Sequence, residues 1–93
     1  MVKWKASHIL VEKQSKALEI LEQIKQGKNF SDLAQQFSQC PSGKRGGSLG
    51  WFGPGQMVRE FENAVKNMNK GAISEPVKTQ FGYHIIRLDD KKG

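Results

Sequence analysis

Three side chains in this sequence can trade protons or donate electron pairs near neutral pH: His8, Cys40 and His84. A cysteine with two histidines suits a thiol hydrolase, in which an imidazole activates the sulfur beside an oxyanion hole. It also suits a zinc site, whose usual ligands are His and Cys. The spacing supports neither. No pair has a local spacing of the CxxC or HxxxH kind, and no fourth ligand is apparent. A hydrolase also needs an orienting Asn or Asp and a substrate cleft, which are hard to build in so short a chain. No metal and no cofactor are expected.

Both histidines lie in alternating segments. In "VKWKASHILV", Val2, Trp4, Ala6, His8 and Leu10 fall on one face and Lys3, Lys5, Ser7, Ile9 and Val11 on the other. In "GYHIIRLD", His84, Ile86 and Leu88 oppose Tyr83, Ile85 and Arg87. Two strands that each carry a histidine on an apolar face can bring the imidazoles together in the middle of a sheet. Taken singly, a buried histidine is more often a satisfied core residue than a catalyst.

Between these strands, "SKALEILEQIKQG" has an apolar stripe of Ala17, Leu18, Leu21 and Ile24, with Ser15 as a candidate N-cap and Gly27 as a stop. "FSDLAQQFS" repeats the pattern with Phe30, Leu33, Ala34 and Phe37, with Ser31 as a candidate cap. "VREFENAVKNM" returns to helical spacing at Val58, Phe61 and Val65, while "SLGWF" and "EPVKT" read as short strands, the second at a sheet edge. Strands at both ends with helices between them predict an α+β domain: a small antiparallel sheet with helices packed on it. The 93 residues suffice for one such domain, residues 1–93.

Cys40 opens the least ordinary stretch, "CPSGKRGGSLGWFGPGQM". It has two prolines, a run of glycines and two large aromatics, more than a connector needs. It lacks the GxxxxGK[ST] order of a phosphate loop, and no strand clearly precedes it. Its glycines permit positive φ and close backbone approach, so it can fold tightly beneath a groove.

With that segment in place, "ASHILV", "CPSGKRGGSLGWFGPGQMVREFENAV" and "PVKTQFGYHIIRL" together resemble the parvulin family of peptidyl-prolyl cis–trans isomerases, in order and over nearly the whole chain. The likeness is greatest to single-domain prokaryotic parvulins. It implies a four-stranded antiparallel sheet surrounded by about four helices, the third of them a short turn within or just before residues 41–47. It also implies that Met57 and Phe61, four apart on one helical face, form a proline-ring pocket, lined further by Leu49 and Phe81. Gln56 would be a groove-edge contact. His8 and His84 match the family's paired histidines, Thr79 lies beside them, and Cys40 takes a polar position where other members carry Asp. That exchange fits an electrostatic or hydrogen-bonding role better than covalent attack. The expected partners are proline-containing polypeptides.

Phosphate-directed parvulins carry arginines in the loop after the first strand. Here "EKQSK" offers Lys13 and Lys16 but no arginine fork, so no strong preference for phosphoserine-proline is expected. The formal net charge of +6 biases the surface toward anionic partners. Lys3, Lys5, Lys25 and Lys28 are candidates for a basic patch that holds the protein against acidic membrane or nucleic acid. The competing function class is a basic binding module with little isomerase activity, although no arginine-dense recognition helix or RNA-binding aromatic pattern supports it. One cysteine excludes an internal disulfide, and "MVKWKASHILV" lacks the apolar run of a signal peptide. A cytoplasmic monomer, with peripheral membrane contact through the lysines, is therefore expected.

Overall fold

The computed structural model of the chain describes residues 2–93. In chain order its elements are β1 (Lys3–Val11), α1 (Gln14–Lys25), α2 (Phe30–Phe37), a 3-10 turn (Pro41–Arg45), β2 (Ser48–Phe52), α3 (Arg59–Lys66), β3 (Val77–Thr79) and β4 (Gly82–Lys92). The four strands form one antiparallel sheet in the order β2-β1-β4-β3, so the first and last strands are central and the two short strands are edges. With three α-helices and the 3-10 turn, this is the expected α+β architecture.

Burial on both faces explains why β1 and β4 are central. Ile9, Val11 and Ile85 pack under α1 and α2, against Ala17, Ile20, Leu21, Phe30, Leu33 and Ala34. On the opposite face Trp4, Ala6, Ile86 and Leu88 pack against Phe52 and the α3 residues Phe61 and Val65. The period-two alternation read from the sequence thus sorts these strand residues between two layers of helix. The histidines belong to the α3 face.

Two β-bulges adjust the sheet. Along β2, Leu49 is the extra residue between the Ala6–Gly50 and Ser7–Ser48 pairs. Along β4, Asp89 is skipped between the Lys5–Asp90 and Ala6–Leu88 pairs. Asp89 accepts hydrogen bonds from Ser7 Oγ and Arg87 Nε, both at 2.7 Å, so its carboxylate is anchored on the α1–α2 side.

Three local expectations change. Helix α1 begins behind Lys13, which lacks a side-chain cap, so Ser15 lies inside the first turn. Helix α2 is capped by Asn29, whose Oδ1 accepts the Asp32 N–H at 3.1 Å, and Ser31 lies within the helix. In both cases the chain turns helical before the serine. On α1, Leu18 is 49% exposed and Ile20 takes its place in the core. Residues 17, 20, 21 and 24 follow the i, i+3, i+4, i+7 pattern that faces one side of a helix; residue 18 falls about 100° from residue 17. Gly27 ends the helix as expected, at a φ of 100°.

Candidate active site

The site is built on the α3 face of β1 and β4. Leu10 pairs with His84 and His8 with Ile86, so the two histidines are diagonal neighbours on one face. Their imidazoles lie 5.0 Å apart between centroids and 20° from parallel. Nδ1 of His8 and Nδ1 of His84 are hydrogen bonded at 2.8 Å. The other nitrogen of His84, Nε2, meets Thr79 Oγ1 at 2.7 Å, and that same oxygen accepts the Phe81 N–H at 3.1 Å.

The donor count selects a tautomer. Because Thr79 Oγ already accepts from Phe81, its hydroxyl hydrogen is best placed on His84 Nε2. His84 then carries its proton on Nδ1 and donates to His8 Nδ1, leaving the His8 proton on Nε2. His8 Nε2 is buried without a partner in either arrangement, and the reverse one strands the threonine hydrogen as well. The favoured arrangement needs both rings neutral, because each ring accepts a hydrogen bond at one nitrogen. Burial, and next the neighbouring His84, push the His8 pKa down from 6.5 to about 4. Burial also lowers that of His84, against an opposing pull from Glu60. The Phe61 ring stands edge-on to both imidazoles, at 5.7 Å from each centroid.

The glycine segment is strapped to β1 at two points. The His8 N–H donates to the Gly47 carbonyl at 3.0 Å, and the Gln39 N–H donates to the Leu10 carbonyl at 2.7 Å. Gly47 has a φ of 87°, and a side chain there would run into the His8 carbonyl oxygen. Between the straps Cys40 caps the 3-10 turn, with Pro41 as its first residue and Gly46, at a φ of 69°, as its stop. Cys40 is thereby held at the end of a cavity next to the histidines.

That cavity, about 470 Å³, is lined by His8, Cys40, Leu49, Gln56, Met57, Phe61, Phe81 and His84, all singled out from the sequence, together with Leu10, Gln39, Pro41 and Val58. Thr79 is not in the lining; it stands behind His84 and holds it. Leu49 reaches the cavity from its bulge. Phe81, 58% exposed in the turn between β3 and β4, forms an outer lip. Met57 and Phe61 do not share a helical face. Val58 is extended, with ψ at 151°, and α3 starts at Arg59, so Met57 belongs to the preceding loop. The loop places it against Phe61 all the same.

Gln56 sits at the rim, and its side chain closes its own loop: Oε1 accepts the Gly53 N–H. A backbone N–H can only donate, so the atom facing it is the carbonyl oxygen, and the Gln56 amide NH2 is left free at the groove edge. Among the described residues, neither imidazole is hydrogen bonded to the Cys40 thiol, and no three His, Cys, Asp or Glu side chains converge as metal ligands. The sulfur therefore lacks the paired base of a thiol nucleophile. What the site offers is a mostly apolar hollow with a rigid, neutral imidazole floor.

A description of the PPIC-type PPIase domain, the rotamase family, matches residues 5–90. The chain belongs to this family. PPIC-type domains are peptidyl-prolyl cis–trans isomerases of the parvulin type, and this chain is such an isomerase domain. The foldase protein PrsA of Geobacillus sp. is 52% identical to it over 91 residues, covering 97% of this chain and 33% of that protein. The crystal structure of the peptidylprolyl isomerase PrsA from Bacillus anthracis superposes on it with a TM-score of 0.97 at 45% identity, over 99% of this chain and 43% of that one. The solution structure of the parvulin of Nitrosopumilus maritimus gives a TM-score of 0.84 at 48% identity, over 95% of this chain and 96% of that one. The chain thus spans about a third of the length of the curated relatives it matches.

Four lining residues of this PPIC-type domain, Leu10, Gln39, Pro41 and Val58, are not among the site residues expected from the sequence. Leu10 had a signal, since it follows His8 by two on the same strand face. Gln39 and Pro41 flank Cys40 and enter the lining with it. Val58 had none, because its place depends on where α3 begins.

Proposed function

We propose that this chain accelerates rotation about X–Pro bonds in polypeptides without covalent chemistry, and that the proline ring is seated in the cavity between Met57, Phe61, Leu49 and Phe81. The apolar hollow set directly against the neutral histidine pair carries this reading. The X–Pro bond turns over a barrier of roughly 18–20 kcal/mol, taking about 10–100 s unaided at 25 °C. Four decades of acceleration need roughly 5.4 kcal/mol of preferential stabilisation of the twisted amide. Burying the ring supplies about 1.5–3 kcal/mol, but this anchors ground state and twisted state alike. The rest has to distinguish the two.

A planar amide owes its polarity to resonance, and twisting removes it. A carbonyl drawn out of water into this hollow therefore loses less when twisted than when planar. His8, His84 and Thr79 act as a stiff support that keeps the hollow's shape. Cys40 contributes its polarity rather than a bond to carbon. The free Gln56 amide NH2 donates to a substrate carbonyl at the rim. Exchange NMR or a protease-coupled assay on Leu-Pro, Glu-Pro and phosphoserine-Pro peptides tests the proposal. Turnover of Leu-Pro without a large phosphopeptide advantage is expected. No turnover on any of the three overturns the reading.

The lysines are a separable part of the proposal. Lys3, Lys5, Lys25 and Lys28 are all exposed. Lys3 and Lys5 share the strand face that α1 and α2 cover, away from the groove. A patch there contributes about 1 kcal/mol per lysine near an acidic bilayer. Salt-sensitive co-sedimentation with acidic vesicles, lost when all four become alanine while turnover is kept, is the expected result; no binding at low salt refutes it. One domain over residues 1–93, a monomeric state and a cytoplasmic location complete the proposal, tested by sedimentation and cell fractionation. No helix among the described residues is long and apolar enough to cross a membrane.

A further inference from the structure

The loop that carries Gln56 and Met57 runs from Phe52, the end of β2, to Val58, ahead of α3. It contains Gly53, Pro54 and Gly55, and few of its backbone groups are used. The Gly53 N–H goes to Gln56 Oε1, and the Gln56 N–H reaches the Gly53 carbonyl at 3.3 Å. Both bonds lie within the loop. They give it a shape but do not fix its position on the domain. Its far end is held where the Glu62 N–H donates to the Val58 carbonyl at 3.1 Å and where Met57 and Val58 pack on the α3-face core; its tip is tied to the helix by the Gly55 N–H, which donates to Glu62 Oε1 at 2.7 Å.

Glu62 follows Phe61 in the first half of α3 and does not line the cavity. Its other carboxylate oxygen, Oε2, pairs with Lys66 Nζ at 3.2 Å, one turn further along the helix. One oxygen is thus committed to the loop and the other to its own helix. The Gly55 N–H, and next Lys66, hold this carboxyl below the usual glutamate range, so it is an anion whenever the domain is folded near neutral pH. A charge-assisted bond of this kind is about twice as strong as a neutral one. Gly55, at a φ of 82°, presents its amide in a conformation that other residues rarely adopt.

We propose that Glu62 is a positioning residue for the isomerase: its carboxylate latches Gly55 and thereby fixes Met57 and Gln56 at the distance from Phe61 that the proline ring requires. The inference rests on the isomerase reading above. The same helix then supplies one wall of the cavity, through Phe61, and sets the position of the facing wall, through Glu62. Adjacent residues of α3 locate the two sides of the pocket relative to one frame, and Glu62 acts without touching substrate.

The test compares Glu62→Ala, Glu62→Gln and Lys66→Ala with the wild type on a Leu-Pro peptide, at a temperature where thermal melts show every variant fully folded. Amide hydrogen exchange at Gly55 is measured alongside. Misplacement of a binding wall by about 1 Å can cost up to roughly a hundredfold in rate, so kcat/KM of Glu62→Ala is expected to fall by about tenfold or more, with fast exchange at Gly55. Glu62→Gln keeps an acceptor oxygen in place and should restore protection at Gly55 and most of kcat/KM. Lys66→Ala removes the ion pair but leaves the loop bond, and should match the wild type. A purely structural Glu62 would shift the melting temperature and leave kcat/KM of the folded protein unchanged; that result overturns the inference alone. Equal losses in Lys66→Ala and Glu62→Ala also overturn it, because the ion pair and not the loop bond would then be responsible. A wild type with no turnover, with Gly55 protected in it and exposed in Glu62→Ala, overturns the isomerase reading and, with it, the latch's catalytic purpose.

Discussion

In the favoured tautomer each histidine of the pair accepts a hydrogen bond at one nitrogen and is neutral. The His8 pKa stands near 4 in the folded protein and near 6.5 in the unfolded chain, so between these values the unfolded chain binds more protons. Stability must therefore rise with pH through that window, be complete above about pH 6.5, and be lost as pH falls from 6.5 toward 4. A shift of this size corresponds to ~3 kcal/mol. Urea unfolding at a series of pH values should show the loss, and a flat profile from pH 7 to 4 contradicts the assignment. At the pocket, Met57→Ala should lower kcat/KM strongly while the fold persists, since Met57 is half-buried at a groove. A stability loss of ~2–5 kcal/mol with unchanged activity of the folded fraction would instead mark it as ordinary core. Cys40→Asp should keep the fold and much of the turnover, because no imidazole is paired with the thiol. Activity at background in a folded Cys40→Asp variant would point to a direct role for the sulfur.

At the scale of elements, the strap between the glycine segment and β1 carries the sharpest expectation. Gly47→Ala forces a positive φ on a residue with a Cβ, which costs about 1–3 kcal/mol, and also drives that Cβ into the His8 carbonyl. Gly50, at a φ of 71°, has open space around it, so Gly50→Ala should cost only the backbone term. Thermal melts of the two variants should separate them, with Gly47→Ala clearly the worse; equal melting temperatures would mean that the strap is loose. This strap also marks the limit of what the sequence could convey. Strand alternation placed His8 and His84 on apolar faces, because a two-residue period survives any tertiary arrangement. It did not show which glycine meets which carbonyl, because that approach joins segments far apart in the chain. Helix starts were obscure for a related reason. Ser15 and Ser31 are good capping residue types, yet the helices begin earlier, at Gln14 and Phe30. Met57 lines the cavity from a loop and not from the helical face that the family likeness implied, because α3 starts only at Arg59. The 3-10 turn has no apolar period at all, and only family likeness indicated it.

At the scale of the whole molecule, the two central strands are the two ends of the chain: Lys3 pairs with Lys92, and the contact continues to Val11 opposite Tyr83. Every layer is assembled around this seam. A nascent polypeptide leaving the ribosome cannot close it until the last strand has emerged, so the domain is made almost entirely before it can fold. Contacts between residues so distant in sequence also slow the search for the native state. A permuted chain tests this: with the ends joined by a short flexible linker and a new opening at the exposed Gly27, β1 and β4 become sequence neighbours. Stopped-flow refolding of the permuted chain should be faster than that of the natural order, with the prolyl-peptide turnover intact. An unchanged refolding rate would mean that some other contact nucleates the fold. An isomerase domain strung this way cannot begin its own folding until its last strand, β4, has been made.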